Sequence, residues 1–288
     1  MLRYAQATDK SRIMALWATD FENYEPYFSW YFSRVYRSER TVCAIVEQQI
    51  VATIQLAPYL VSLSGKPTPI AYLVGVITDP AYRHQGIAGQ LMQFALSELT
   101  KTGYAAALLY TDIPKFYRPF GFTHHYGLRQ IQITPTLTQV NAHWQERQIN
   151  FSTIRDCSQV YQRMCTDFNG YILRNHQNWQ ILLEELQCDG GKIYVFNQEA
   201  YLLAYPEKEN LIIREIGYTN QDTLFETLKL AQNLAITAEI PSLRWNAPLS
   251  APLSAQFGGT TIPFVMACAL GCHSYAAFTP QNWINEYT

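Results

Sequence analysis

The chain has 288 residues, a formal net charge of −2 and a sequence pI near 6.3, and its length suggests two domains. Such a balanced charge, without a run of more than two basic residues, argues against nucleic acid or an anionic membrane surface as a partner. Hydrophobic residues make up 48% and charged residues 15% of the chain, which excludes a disordered protein and leaves enough apolar material for buried cores.

The sequence predicts a soluble protein of the cytoplasm. No signal peptide is expected, because charged residues interrupt the start of the chain at Arg3, Asp9, Lys10 and Arg12. The six cysteines lack paired C-x-x-C spacing, which predicts reduced thiols. Residues 245–285 contain no Asp, Glu, Lys or Arg, but prolines and polar residues break this run before it reaches the length of a membrane span.

The first half of the chain predicts a mixture of helices and strands. The pattern indicates, in order, a strand at 2–8, helices at 9–21 and 24–36, two strands within 41–63, a turn at 64–69, a strand at 70–78, a helix at about 87–101, and a strand at 105–111. Thr8 or Asp9 is the predicted cap of the first helix. The two strands within 41–63 are expected to meet in a tight turn near Gln48 and Gln49.

The second half predicts the same order of elements. Helical patterns at 158–169 and 175–187 precede a hairpin at 192–206, a strand at 210–219, a helix at 221–236 and a strand at 242–248. Gly217 lies in the predicted strand at 210–219 as Gly75 lies in the predicted strand at 70–78. The segment "SAQFGGT" at 254–260 is similar to "YRPFGFT" at 117–123. A repeat of this length indicates a duplicated domain, so we predict domains at 1–145 and 146–288.

A glycine-containing loop joins the predicted strand at 70–78 to the following helix. Its sequence, "YRHQGIAGQLM", has small residues at Gly86, Ala88 and Gly89, where the backbone N–H groups of a helix N-terminus are exposed. Such groups, together with the helix dipole and a cation at Arg83, form a site for a diphosphate. The structural alternative is a helix start whose glycines only allow tight packing. The second half lacks this loop, since Thr219 leads directly into Asn220.

Two motifs together resemble those of the GCN5-related N-acetyltransferase (GNAT) superfamily. Residues 83–88 fit the pattern Arg/Gln-x-x-Gly-x-Gly/Ala, and "FYRPFGF" at 116–122 is similar to the family's second motif. Neither a G-x-G-x-x-G fingerprint nor a Gly-Lys-Ser/Thr loop is present. The resemblance covers residues 1 to about 135. It implies an α/β fold with a mixed sheet and tandem GNAT-like acyl-CoA N-acyltransferase domains, the second of them degenerate.

The resemblance also implies where acetyl-CoA binds. The backbone of Val76, Ile77 and Thr78 would pair with the pantetheine arm, and Arg83 would assist the diphosphate. The residues that would hold the diphosphate are His84, Gln85, Gly86, Ile87, Ala88 and Gly89. Asp112 and Ile113 are weaker candidates for a cofactor contact.

In the family a neutral amine attacks the thioester directly, and Tyr117 matches the tyrosine that protonates the leaving thiolate. A tyrosine suits this task because its pKa near ~10 keeps it protonated at neutral pH. Backbone N–H groups at 76–78 would stabilise the oxyanion. The alternative for Tyr117 is a packing role in the core.

The sequence does not identify a general base. His124 and His125 fit surface positions better, and Asp20, Glu22 and Glu25 fit a solvated helix face, although such acids could also line an acceptor cleft. The aromatic cluster between residues 21 and 32 is expected to lie mostly in the core. Those of its rings that face outward would form a hydrophobic acceptor pocket or a subunit contact. Its members are Phe21, Tyr24, Tyr27, Phe28, Trp30, Tyr31 and Phe32.

No metal site is predicted. Cys268, Cys272 and His273 are too crowded for zinc and lack a matching distant pair of ligands, so buried thiols are the better interpretation.

Within the family, the tandem arrangement resembles the "enhanced intracellular survival" (Eis) branch, whose members acetylate amines such as aminoglycosides or lysine side chains. Those proteins carry a third, sterol-carrier-like domain whose terminal carboxylate acts as the base, whereas this chain ends at Thr288. They usually form hexamers, and a homo-oligomer is left open here.

The sequence therefore predicts an acetyl-CoA-dependent N-acetyltransferase that acts on a primary amine of a small molecule or lysine in a ternary complex. One alternative is a non-catalytic acyl-CoA-binding regulatory or scaffold protein. The other is an enzyme with the same fold that uses a longer acyl or an aminoacyl donor.

Overall fold

The computed structural model describes residues 1–21, 24–249 and 258–271, in which the chain forms two α/β units, each built on a mixed β-sheet. Within these ranges, the first unit comprises residues 1–125 and 265–271, and the second comprises residues 126–264. The predicted mixed α/β fold is thereby confirmed. The domain boundary at residue 145 stays a prediction.

The first unit contains most of the elements predicted for the first half. They are β1 (Leu2–Tyr4), α1 (Lys10–Trp17), α2 (Tyr27–Arg34), β2 (Thr41–Val46), β3 (Gln49–Leu63), β4 (Lys66–Thr78), α3 (Ile87–Lys101), β5 (Ala106–Tyr110), α4 (Pro114–Tyr117) and β6 (Thr123–His124).

The second unit follows with a similar series of elements. They are β7 (Gly127–Ile133), β8 (Gln145–Arg147), α5 (Phe151–Met164), β9 (Tyr171–Ile172), α6 (His176–Cys188), β10 (Lys192–Phe196), β11 (Ala200–Glu207), β12 (Asn210–Tyr218), α7 (Gln221–Thr237), β13 (Ser242–Pro248) and β14 (Thr260–Pro263). The strand β15 (Val265–Ala269) returns to the first unit.

The two sheets share one strand order. In the first unit it is β1-β2-β3-β4-β5-β15-β6, and in the second it is β8-β10-β11-β12-β13-β7-β14. The pairs β4–β5 and β12–β13 are parallel, and the other neighbours in these two series are antiparallel. This agreement supports the duplication that the sequence predicts.

A reciprocal exchange of strands was not predicted. β7 follows β6 along the chain, yet it lies between β13 and β14 in the second sheet, whereas β15 lies between β5 and β6 in the first. Each unit therefore receives, at the same position of its sheet, a strand from the other half of the chain.

The helix α3 packs its buried face into a hydrophobic core of the first unit. Its buried residues Leu91, Met92, Ala95 and Leu99 lie on one face of the helix, as the helical period requires, and they pack into a cluster with residues of β3, β4 and β5. The predicted bounds of α3, 87 to 101, are confirmed. A residue of this cluster, Cys268 on β15, directs its Sγ to the carbonyl oxygen of Phe120 at 3.3 Å.

The strand predicted at 2–8 ends at Tyr4, and Ala7–Asp9 form a 3₁₀-helix; two further local predictions for the first unit also need correction. The predicted turn at 64–69 is shorter, because Ser64 and Gly65 (φ 50° and 74°) make the turn and β4 already begins at Lys66. Prolines are tolerated there since β4 pairs with β5 only from Ile70 onward, so this part of β4 has a free edge. Asp9 is the N-cap of α1, but its carboxylate accepts hydrogen bonds from Arg3 and from the backbone of Gln6 instead of capping the helix.

Several predicted features lie outside the described residues: Glu22, Cys272, His273, Thr288 and residues 254–257 of the segment at 254–260. Within the described ranges, no helix combines the length and apolar composition that crossing a bilayer requires. The same ranges contain no cluster of three or more His, Cys, Asp or Glu side chains that could hold a metal ion.

Candidate active site

The parallel strands β4 and β5 separate part of the way along their length. Register pairs join Ile70 to Ala106, Ala71 to Ala107 and Tyr72 to Leu108, and none joins the two strands beyond Tyr72. β4 continues to Thr78, while the end of β5 pairs with β15 on its other side. Among the described residues, the backbone of β4 after Tyr72 therefore has no strand partner on the side of β5, and its peptide groups on that side can pair with a ligand.

A β-bulge lies in the separated part of β4. Thr53 of β3 pairs with Ile77 and Gln55 pairs with Val74, so two residues of β4, Gly75 and Val76, lie opposite one residue of β3. Gly75 has φ 59°, and a Cβ atom there would overlap with the ring of Trp17. Glycine is thus required by both the backbone conformation and the close approach of an aromatic ring.

The loop after β4 leads to the N-terminus of α3, whose N-cap residue offers no side-chain hydrogen bond. Asp79 begins it by accepting hydrogen bonds from the backbone of Ala81 at 3.1 Å and from Arg12 at 2.7 Å, and the bond from Arg12 lowers the pKa of the Asp79 carboxyl. Gly86, with φ 78°, is the N-cap of α3, and no side chain caps the helix. The first N–H groups of α3 thus lie at an exposed helix end, where the helix dipole favours an anion.

Arg83 is held by protein groups on both sides of this loop. Its Nε donates to the carbonyl oxygen of Thr78 at 2.9 Å, and its Nη2 donates to Asp20 beyond the end of α1. Asp20, a candidate for an acidic acceptor cleft, is therefore the ion-pair partner of Arg83. Sequence reasoning missed this pair, since no local pattern connects residues so far apart in the chain.

A cavity of about 440 Å³ opens beside the separated strands, and its lining is mainly aromatic. Its walls come from the α1–α2 segment and from β4, β5 and α4. The lining residues are Trp17, Phe21, Tyr27, Phe28, Tyr31, Tyr72, Leu73, Val74, Gly75, Val76, Leu109, Tyr110 and Tyr117. Four of them belong to the predicted aromatic cluster. Trp17, Tyr72 and Tyr110 were not predicted, and the two tyrosines lie on β4 and β5, the strands that separate.

Tyr117 reaches this cavity from α4 and is 6% exposed. Its ring packs edge-on against Phe116 and Phe122, with centroid distances of 4.9 and 5.9 Å. Burial raises the pKa of Tyr117 to about 12, although hydrogen bonding with Thr111 acts in the opposite direction. The phenol therefore stays protonated at neutral pH and can serve as a proton donor.

The cavity lining does not include the described candidates for a general base, Asp20, Glu25, His124 and His125, or the cofactor candidates Asp112 and Ile113. His124 lies on β6, where partial burial and the charge of Arg118 lower its pKa, and the Nε2 of His125 lies 2.7 Å from the hydroxyl of Thr123. Ile113 is 62% exposed. Glu25 accepts hydrogen bonds from Ser29.

The predicted cofactor residues occupy three neighbouring parts of the chain. Val76 lines the cavity, whereas Ile77 and Thr78 complete β4. His84 (φ 61°), Gln85 and Gly86 form the exposed end of the loop. Ile87, Ala88 and Gly89 make up the first turn of α3. Their contacts with a cofactor stay a prediction.

Comparison with known proteins agrees with this arrangement. Residues 1–125 match the model of the family described as an acetyltransferase (GNAT) domain. No curated protein matches the sequence. The fold and the match support an acyltransferase of the class that uses acyl-CoA. The match covers 125 of the 288 residues, and over this part the chain is similar to the GNAT superfamily.

Solved structures share the fold over nearly the whole chain. A GCN5-related N-acetyltransferase from Anabaena variabilis is similar with a TM-score of 0.77 and 16% identity, over 93% of this chain and 72% of that one. Eis1 from Mycobacterium abscessus gives 0.70 and 13%, over 93% and 73%. N-myristoyltransferase from Saccharomyces cerevisiae, solved with myristoyl-CoA, gives 0.62 and 10%, over 95% and 79%. The likeness to Eis1 at this identity is a likeness of fold.

Proposed function

We propose that this protein is an N-acetyltransferase that moves the acetyl group of acetyl-CoA to a primary amine by direct attack in a ternary complex. The observation that carries the proposal is the meeting of three features in the first unit. The bulged strand β4 separates from β5, the strand leads through a short loop to an uncapped helix N-terminus, and the buried phenol of Tyr117 shares a cavity with Gly75 and Val76.

The proposed binding mode follows from the groups that the protein leaves available. The pantetheine arm would pair with the free side of β4 at Val76, Ile77 and Thr78. The diphosphate would bind to the backbone N–H groups of residues 84–89, where each charge gains roughly 0.3–1 kcal/mol from the helix dipole. Arg83 would contribute a positive charge beside it while remaining paired with Asp20.

The proposed chemistry needs no covalent intermediate on the protein. The neutral amine attacks the thioester carbonyl carbon, a C–N bond forms, and the negative charge on oxygen is stabilised by backbone N–H groups after the bulge. The C=O bond then re-forms as the C–S bond breaks, and Tyr117 gives its proton to the departing thiolate. The former amine nitrogen loses a proton to solvent, and the phenolate of Tyr117 takes one back from solvent, so the protein returns to its starting state. The raised pKa of Tyr117 keeps it in the donating form.

Thiol release from acetyl-CoA with a panel of primary amines, together with calorimetric titration of acetyl-CoA, tests the proposal. Replacing Tyr117 with phenylalanine should lower kcat by roughly 10²–10⁴-fold, the usual contribution of a general acid, and leave acetyl-CoA affinity unchanged. The matched control is Tyr36→Phe. Tyr36 is 5% exposed, has a pKa raised to about 12 by burial and does not line the cavity, so its replacement should leave kcat unchanged.

Three results would change the conclusion. Binding of acetyl-CoA without turnover of any amine would favour the non-catalytic acyl-CoA-binding protein. Turnover with longer acyl-CoA thioesters in place of acetyl-CoA would keep the acyltransferase class and replace the donor. Equal loss of kcat and affinity in Tyr117→Phe would assign that residue to packing.

A further inference from the structure

We propose that the amine acceptor is a small arylalkylamine, a primary amine joined by a short chain to an aromatic ring, and that the aromatic cavity binds that ring. The proposal rests on the proposed function, because it names the molecule that attacks the thioester. Its basis is the construction of the cavity, whose rings are held in place before any ligand binds.

The floor of the cavity is a packed pair of rings. Trp17 is 6% exposed and Tyr31 is 1% exposed, and the two rings stack with a centroid distance of 4.8 Å and an interplanar angle of 28°. Trp17 occupies the space that the missing side chain of Gly75 leaves on β4. The bulge that frees the backbone of β4 therefore also fixes the position of this ring.

The rim of the cavity adds rings that remain accessible. Phe21 is 46% exposed, and its ring centroid lies 5.3 Å from that of Trp17 at an angle of 50°. Tyr110, at the end of β5, is 50% exposed. Because the floor is buried and the rim is open, a flat ring can enter from the rim and contact faces and edges of rings that are already ordered. Ordered rings reduce the entropic cost of binding.

An acceptor ring bound in the cavity places the amine group near the site proposed for the thioester. Gly75, Val76 and Tyr117 line the same cavity as Trp17 and Tyr31, so a short chain from a bound ring can reach the bulge of β4. An ammonium ion is attracted by the faces of aromatic rings on entry. Removal from water then lowers the pKa of the ammonium group, which favours the neutral amine that attacks.

Other acceptors gain less binding free energy from this cavity. The titratable groups among its described lining residues are tyrosines, so a polycation has to lose the hydration of several charges, and these lining residues offer no carboxylate in exchange. A saturated chain, whether part of an amine or of a long acyl group, is stabilised by burial of its apolar surface. It lacks the favourable interaction between aromatic rings, which contributes binding free energy beyond burial. The volume of about 440 Å³ lies within the range of small-molecule sites.

The first experiment compares phenethylamine, 2-cyclohexylethylamine and spermidine as acceptors for acetyl-CoA. Phenethylamine and its cyclohexyl analogue share the chain and the number of carbon atoms, so the ratio of their kcat/KM values, each corrected for the fraction of neutral amine, reports on the aromatic ring. We expect kcat/KM for phenethylamine to exceed that for the cyclohexyl amine by roughly two- to twelve-fold, and that for spermidine by more. Calorimetric titration of each amine into the protein with CoA present gives the same comparison without turnover.

The second experiment uses variants of the rim. Phe21→Leu keeps an apolar side chain but removes the ring, and it should reduce the preference for phenethylamine over its cyclohexyl analogue. The matched control is Tyr24→Ala, because Tyr24 is an aromatic residue of the same segment, 53% exposed, that does not line the cavity. We expect this control to leave both kcat/KM values unchanged. Because Phe21 is exposed, its replacement should not unfold the protein.

The outcomes separate this proposal from the proposed function. Turnover of amines without a preference for phenethylamine overturns the arylalkylamine and leaves the acetyltransferase intact. Saturable, preferential binding of phenethylamine without turnover of any amine supports the aromatic site and contradicts the activity. If octanoyl-CoA competes with phenethylamine while acetyl-CoA does not, the cavity holds the acyl chain and the proposal is wrong.

Discussion

The two units share a strand order, but they differ where the central strand leads into the next helix. In the first unit, Gly86 begins α3 without a side-chain cap. In the second unit, Asn220 begins α7, its side chain accepts a hydrogen bond from the backbone of Thr223 at 2.9 Å, and the Thr223 hydroxyl accepts one from Asn220. The helix end that can receive an anion in one unit is thus satisfied by its own side chains in the other.

A second difference lies on the central strand itself. Glu215 of β12 is buried beside a register shift between β11 and β12. Arg174 donates two hydrogen bonds of 2.7 Å to Glu215, and the hydroxyl of Tyr201 donates one of 2.6 Å. Burial acts to raise the pKa of Glu215, but Arg174 and Tyr201 lower it, so the carboxylate stays ionised.

The side chains carried by the shared strand order differ between the two units. Where the first unit has a cavity lined by aromatic rings, the second has a buried ion pair enclosed by Tyr161 and Trp179, whose rings lie 4.3 and 4.8 Å from the guanidinium of Arg174. Hydrogen bonds and ring contacts hold both members of this pair in place. What each unit can do therefore depends on the side chains placed on the fold rather than on the fold itself.

The largest expected effect comes from a glycine in each central strand. We predict that Gly75→Ala lowers the free energy of unfolding by roughly 2–6 kcal/mol, because the new Cβ overlaps with Trp17 and the residue has φ 59°. Gly217→Ala overlaps with Tyr201 but needs no left-handed backbone, so we expect a loss of roughly 1–3 kcal/mol. Urea unfolding measures both values.

Activity distinguishes the two glycines further. Corrected for the folded fraction, Gly75→Ala should also lower kcat/KM, since a displaced Trp17 alters the cavity, whereas Gly217→Ala should not. Equal losses of kcat/KM in both variants would mean that the second unit contributes to the reaction.

A smaller effect, on acetyl-CoA affinity, is expected at the N-terminus of α3. We predict that Gly86→Asn weakens acetyl-CoA binding about ten-fold, because its side chain lies beside the N–H groups that would bind the diphosphate, and one hydrogen bond to a charged group contributes roughly 1.5–3 kcal/mol. Asparagine tolerates the left-handed backbone, and the nearest atom to a Cβ at Gly86 is 4.0 Å away, so stability should change little. Calorimetric titration measures the affinity.

Two control variants accompany this change. Gly103→Asn makes the same substitution at another glycine with positive φ (82°) and open space, just past the end of α3, and should leave the affinity unchanged. Asn220→Ala removes the cap of α7 and should cost about 1 kcal/mol of stability with no effect on acetyl-CoA. Weaker binding in either control would show that the affinity does not depend on the N-terminus of α3.

The parts of the site that the sequence predicts are those with local signals. Glycines followed by helix-forming residues determine both the loop and the start of α3, and the second motif brings Tyr117 to a short helix after β5. Pairings between distant segments carry no such signal. The exchange of β7 and β15, the ion pair of Arg83 with Asp20, and the packing of Trp17 over Gly75 depend on which surfaces meet in the folded chain, and neither periodicity nor spacing records that.

The smallest expected effect is a pH dependence that compares a tyrosine of each unit. Burial raises the pKa of both Tyr117 and Tyr194 to about 12, with Glu146 adding to the effect at Tyr194. Below the unfolded pKa of ~10 both states hold the proton. As the pH rises from there toward 12, the unfolded state releases it first, so the free energy of unfolding falls. At pH 10 each tyrosine accounts for about 0.4 kcal/mol of this loss of stability. Replacement by phenylalanine should remove that loss, as measured by urea unfolding at pH 8 and pH 10.

The same two variants also separate the tyrosines by activity. Tyr194→Phe should leave kcat unchanged, whereas Tyr117→Phe should lower it at both pH values, because a phenol with a pKa of about 12 still donates its proton at pH 10. A wild-type kcat that declines between pH 8 and pH 10, with no such decline in Tyr117→Phe, would place the pKa of this phenol much lower and contradict the role assigned to its burial.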